Sequence, residues 1–206
     1  MSKTRSQVLS LKDHQEKEEY LRVHLYSELL WLLHAATEWS IQDQWKLEIA
    51  GYVMQVYALD SASLHARTLF EFFTEGPTKH HYSVKDFLGA PLTSTYKQNW
   101  QGPLHGFLMH AQNRSLPRPL VSAGVSKDLN QMPVDFAHEI LRLWKEFEDQ
   151  LGKSSNADTK KLQQLARDKR EEATRKAMCV SKAATSGEVA EKYFQKKGQQ
   201  LKPVFS

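Results

Sequence analysis

The chain has 206 residues, 40% of them hydrophobic and 25% charged, which is enough for one domain whose core needs neither disulfides nor a structural metal. A single cysteine, Cys179, excludes an intramolecular disulfide, and no segment reaches the roughly 20 apolar residues needed to span a bilayer. The net charge of +4 hides a split, with 15 Lys and Arg against 18 Asp and Glu in residues 1–151 and 13 against 6 in residues 152–206.

All nine His and all five Trp fall in the first part. The expected organisation is therefore a slightly acidic helical body over 1–151 and a basic, partly helical tail over 152–206, jointed at Gly152-Lys-Ser-Ser-Asn156. The start, MSKTRSQVLSLKD, lacks the apolar run of a secretory signal, so a cytoplasmic address without membrane insertion is expected.

The first predicted helix runs from about Lys12 to Glu38, with Ser10 and Asp13 as a capping box and Tyr20, Val23, Leu30 and Leu33 or His34 as its apolar stripe. Its second half, LYSELLWLLHAA, is apolar nearly all round and belongs at the centre of a core. Ser40-Ile-Gln-Asp43 is a second capping box. After it, Trp45, Ile49, Tyr52, Val56, Leu59, Ala62, Ala66, Leu69 and Phe73 recur every three or four residues, and Gly76-Pro77 stops the helix. Residues 78–95 read as a crossover with a short helical piece from Ser83 to Leu88. A third helix is expected over Gln101 to Arg114, ended by Pro117 and Pro119. The last helix of the body opens near Pro133 and carries Phe136, Ile140, Leu143, Trp144 and Phe147 to Leu151. In the tail, Asp158 to Ala184 reads as a charged helix with a narrow stripe of Leu162, Leu165, Ala166, Ala173, Ala177 and Val180, able to bury little. Thr185-Ser-Gly-Glu188 caps a further short helix. With no convincing strand, the fold class is all-α: a bundle of four principal helices with a basic helical C-terminal extension.

The long second helix is interrupted on its apolar side by Asp60, His65 and Arg67. Arg67 and Glu71, at i and i+4, share a face, so either Arg67 and Asp60 form a polar constellation in the bundle groove or Arg67 and Glu71 form an intrahelical salt bridge beside the core stripe. His105 and His110 are five apart and lie on different faces, unlike the four-residue spacing with which helices present two histidines to zinc. His110 and Arg114 do share a face. There His110, near its ordinary pKa of about 6.5, could exchange a proton while Arg114 holds a phosphate. His80-His81 has no carboxylate or thiolate beside it, and Cys179 has no histidine in the tail, so no metal, cofactor or thiol nucleophile is expected. No Walker-type phosphate loop, GxGxxG, GxSxG or CxxC occurs, which argues against the common NTPase, dinucleotide, hydrolase and redox classes.

The order LDSASLHARTLFEFF, then Asp86-Phe87-Leu88, Trp100, LHGFLMHAQNR and a closing helix resembles uncharacterised bacterial helical proteins related to the HEPN superfamily, over Asp43 to Leu151. The resemblance implies a helical bundle, often dimeric, in a family with many metal-independent ribonucleases and also inactive partners. Their active motif sets an Arg a few residues before a His. Here Thr-Leu-Phe-Glu-Phe-Phe follows Arg67 and Ser-Leu-Pro-Arg-Pro follows Arg114, with no His in register, and the third helix reverses the order.

The expected function is thus a noncatalytic, HEPN-like interaction module that recruits a protein or nucleic-acid partner, a second copy of the chain included. The alternative is an RNA-cleaving or RNA-binding enzyme of a bacterial defence or toxin system, with His110, Arg114 and Arg67 as its catalytic set. For nucleic acid, the expected contacts are Lys160, Lys161, Arg167, Lys169, Arg170, Arg175 and Lys176 in the basic tail.

Overall fold

A computed structural model describes residues 13–40, 48–75, 82–95 and 132–177, with side chains in the second stretch from residue 57 onward. Every regular element among the described residues is a helix, and the helices pack into an all-α bundle.

The first helix covers residues 13–40. It contains a wider, π-helical segment, Tyr20–Leu25, followed by α1, Tyr26–Ser40. At the join the backbone N–H of Tyr26 donates to the carbonyl of Leu21, five residues back, in place of the usual four. The core side is Leu21, Leu25, Leu29, Leu32, Leu33 and Ala36, at ordinary helical spacing through the join, while Val23, expected on the stripe, lies some 200° around from Leu21 and is 43% exposed. Around Ala35 to Trp39 the helix is buried on all sides, Thr37 and Glu38 included, whereas LYSELLWLLHAA, expected to be covered all round, buries one side and leaves Trp31 51% exposed on the other.

Helix α2, Glu48–Thr74, lies beside it. Tyr20 meets Phe72 at 5.9 Å and Glu28 meets His65 at 2.8 Å, so as one number rises the other falls and the two helices are antiparallel. Leu59, Ala62, Ala66, Leu69 and Phe73 are all buried, as their spacing predicts. Helix α3, Val84–Leu88, is the short piece expected after the crossover. Asp86 accepts from the Ser83 N–H at 2.8 Å, and Gly89 closes the turn with φ 81°, a left-handed conformation that suits glycine.

Helix α4, Met132–Gly152, buries Phe136, Ile140, Leu143, Trp144, Phe147 and Leu151 on one side. The aromatic centre forms where it meets α2 and α3: Phe70 and Phe136, Phe73 and Trp144, and Phe87 and Phe147 stand edge to face at 5.9, 6.0 and 5.6 Å. On the outside, Arg142 bonds Glu139, Glu146 and the carbonyl of Thr93, tying the segment after α3 to α4.

Helix α5, Ala157–Lys176, begins at Asn156, whose side-chain oxygen accepts from the Asp158 N–H. It packs against α4 and α1 and buries Leu162, Ala166 and Ala173, with Leu165 and Ala177 partly covered. The helix ends at Lys176, where Ala177 turns extended at ψ 111°, and the residues up to Ala184 over which the sequence predicts it to run lie outside the described residues. The expected third helix over 101–114, the cap at Ser40 to Asp43, the stop at Gly76-Pro77 and the short helix after Thr185 lie outside the described residues.

Candidate functional site

Three groups of side chains stand out, and they occupy different parts of the bundle. The first lies along the α1–α2 seam. His65 Nδ1 stands 2.8 Å from Glu28 Oε2, both half-buried, so an imidazole and a carboxylate bridge the helices. Arg67 lies two residues on, some 200° further around the helix, and turns away from that pair. Its Nε donates to Glu71 Oε1 at 2.7 Å, the intrahelical pair anticipated from the spacing. His65 and Arg67 therefore do not converge. His110 and Arg114 lie outside the described residues. Near the same end, Tyr20 stacks between His24, Phe72 and Tyr82, and burial, reinforced by the charges of Glu28 and Asp86, pushes its hydroxyl up to about 12. It is a neutral phenol at any physiological pH.

The second group crosses the α4–α5 seam. Glu148 is fully buried and takes two hydrogen bonds from Arg170, Nε at 2.7 Å and Nη2 at 3.2 Å. Those bonds hold the guanidinium above its ordinary pKa in spite of the desolvation that opposes them. Trp144 Nε1 donates to the carbonyl of Ala166 at 2.9 Å across the same seam. Glu172 then gathers Lys169 and Lys176, each at 2.6 Å, and the hydroxyl of Tyr26 at 3.2 Å, while Lys169 also lies over the Tyr26 ring at 4.6 Å. Hydrogen bonds from Lys169 and Lys176, outweighing the small cost of burial, lower the Glu172 carboxyl to about 2.

This arrangement answers the seven cations one by one. Arg170 serves Glu148, Lys169 and Lys176 serve Glu172, and Lys161 serves Asp158 at 3.3 Å. Lys160, Arg167 and Arg175 form no ion pair among the described residues, and they lie on the side of α5 opposite Leu162, Ala166 and Ala173. Asp168 and Glu171 are exposed on that same outer side, so it is mixed in sign.

The third group is apolar. Trp31 on α1 is 51% exposed, and Tyr57 and Leu64 on α2 are 63% and 52% exposed. Tyr57 and Leu64 are seven residues apart, hence on one face, opposite the buried Leu59, Ala66 and Phe73. Trp31 is three residues from Glu28, on the edge of α1 that adjoins α2. Sequence reasoning missed the Glu28–His65 bridge and the Glu148–Arg170 pair, because each joins residues of separate helices and leaves no mark in local spacing. It missed the exposed face as well, since Tyr57 and Leu64 look like core residues until their phase against Leu59 and Ala66 is compared.

Among the described residues no three His, Cys, Asp or Glu side chains are grouped to hold a metal ion, and no helix is long and apolar enough to cross a membrane. Comparison of the chain with protein-family models, with curated proteins and with solved structures finds no match.

Proposed function

We propose that the chain is a noncatalytic, HEPN-like helical interaction module whose partner is a protein. The observation that carries this reading is the exposure of Trp31 on α1 and of Tyr57 and Leu64 on one face of α2, each more than half exposed on two helices that pack together. Exposed aromatic and aliphatic side chains are what protein interfaces use as their buried centre. The basic segment favours nucleic acid less than its charge suggests, since four of the seven α5 cations already neutralise Asp158, Glu148 or Glu172.

The test is paired capture from cells, with the wild-type chain and the variant Trp31→Ser, Tyr57→Ser, Leu64→Ser as baits. Their folding is compared by circular dichroism. A protein retained by the first and lost by the second, with equal helicity, is the expected outcome. Cleavage of a mixed RNA pool that His110→Ala abolishes would replace this reading with the enzyme alternative, and salt-sensitive nucleic-acid binding without any face-dependent protein would replace it with a nucleic-acid adaptor.

A further inference from the structure

Trp31, Tyr57 and Leu64 border one depression between α1 and α2. The Glu28–His65 contact sets the two antiparallel helices level at those residues. Trp31 stands three residues beyond Glu28, so it comes level with Ser61, four before His65. On α2, Ser61 lies four after Tyr57 and three before Leu64, on the side of that row that His65 shares and hence toward α1. Ala35, seven after Glu28 and on the same face of α1, is buried at the seam. The large side chains are thus at the margin, with the short ones, Ser61 and Ala35, between them. The His34 ring packs against that of Trp31 at 5.8 Å and supports it.

The surroundings of this depression are acidic. Residues 26–40 and 57–75 carry Glu28, Glu38, Asp60, Glu71 and Glu75 against Arg67 as their one Lys or Arg, and all of these carboxylates except Glu38 are partly exposed. Arg67 holds Glu71 at 2.7 Å, so it does not offset the others. Asp60 flanks the Tyr57–Leu64 row on the side away from α1, and Glu28 lies on the α1 side.

The geometry points to a basic amphipathic helix of a partner protein as the occupant, lying over the α1–α2 groove. One apolar side chain of that helix seats over Ser61, between Trp31, Tyr57 and Leu64, and its flanking Lys or Arg side chains reach Asp60 on one side and Glu28 on the other. Two packed helices leave a groove that a third fits by the same interdigitation of ridges. Tyr57, Asp60, Ser61 and Leu64, spaced i, i+3, i+4 and i+7, are the four-residue hole that receives such a knob. The charge selects among occupants. Phosphates of nucleic acid and an anionic membrane are repelled by it, and a second copy offering this same face would set carboxylates against carboxylates. The apolar seat supplies the attraction, while the half-exposed charges set orientation and partner choice.

This inference rests on the reading of that face as a protein interface and gives the chemistry of its partner. The experiment is selection on the full chain from a displayed library of helical peptides about five turns long, with stripe and flanks randomised, after depletion on Leu64→Arg. Recovered sequences should place Leu, Ile or Met on the stripe and Lys or Arg on the flanks. By fluorescence anisotropy, a synthetic consensus peptide should bind the wild type at least about tenfold more tightly than it binds Leu64→Arg or Ser61→Trp, both with unchanged helicity. Ser61→Trp fills the depression without altering charge. Exchanging the peptide's Lys and Arg for Glu should weaken binding by about tenfold or more. Leu64-dependent peptides with acidic or uncharged flanks overturn the basic partner and leave the interface reading standing, and binding indifferent to Ser61→Trp overturns the seat. If no peptide depends on Leu64 while the paired capture from cells retains a protein that does, the helical partner alone has failed; if neither finds one, the interface reading has failed with it.

Discussion

Glu148 is the side chain on which most depends, because a carboxylate with no solvent contact is tolerable only while Arg170 holds both of its oxygens. Glu148→Ala or Arg170→Ala should each cost about 2–4 kcal/mol in urea denaturation, the first somewhat less because Arg170 can reach water once released. The double replacement Glu148→Leu with Arg170→Met should fall well short of the sum of the two single losses, within about 1–2 kcal/mol of wild type, since it removes the buried charge and its partner together. The other acidic hub behaves differently. Glu172 titrates at about 2 when folded against an ordinary 4.5, because Lys169 and Lys176 stabilise its charged form. A carboxyl lowered in this way contributes stability that is complete above about 4.5 and is lost as the pH falls toward 2. Between those values, Glu172→Gln should therefore show a shallower decline of stability with acidification than wild type, followed by urea midpoints at fixed ionic strength. Added salt should narrow the difference, since Lys176 is exposed.

At the scale of elements, periodicity made α2 and α4 legible, as the burial of Leu59 through Phe73 and of Phe136 through Leu151 shows. It misleads where two stripes compete or a distant contact applies. Val23 lies on the face opposite Leu21, Leu25 and Leu29, the stripe that is buried, and α5 is a working part of the core with only three buried apolar side chains, because small residues at Ala166 and Ala173 let it pack against α4 and α1. Composition alone could not reveal this, since seven Lys and Arg conceal a stripe whose value lies in fit rather than bulk. For the candidate site, spacing read Arg67 and Glu71 correctly as a pair but had no access to Glu28, which lies 37 positions from His65. Leu162→Ala should cost about 2–3 kcal/mol by cavity formation under α5. Gly152→Ala should stay within about 1 kcal/mol of wild type. A Cβ there meets only the amide end of Gln163, which can swing aside, and alanine's helical preference compensates.

At the scale of the molecule, the chain's charge asymmetry and its architecture do not share a boundary. The basic segment starts after Gly152, yet Trp144, Glu148 and Tyr26 of the body complete their hydrogen bonds on α5. Truncation after Gly152 should therefore lower Tm by about 10 °C or more and shift tryptophan emission to the red, since it uncovers the Trp144 side of α4 and leaves Glu148 without its cation. A chain cut there would be a damaged bundle rather than a free-standing body. The π-helical segment has a different bearing on the whole. It accommodates one residue more than a regular helix would, and so takes up that residue without turning residues 13–19 relative to α1. Removing one residue at the exposed Val23 should restore the α-helical count and leave Glu16 on the side where its carboxylate accepts from the Tyr82 hydroxyl at 3.2 Å. The attachment of the α3 region to the start of the first helix is thus buffered against a change in residue count, and a one-residue deletion there should cost the molecule less than the same deletion in a regular helix such as α4.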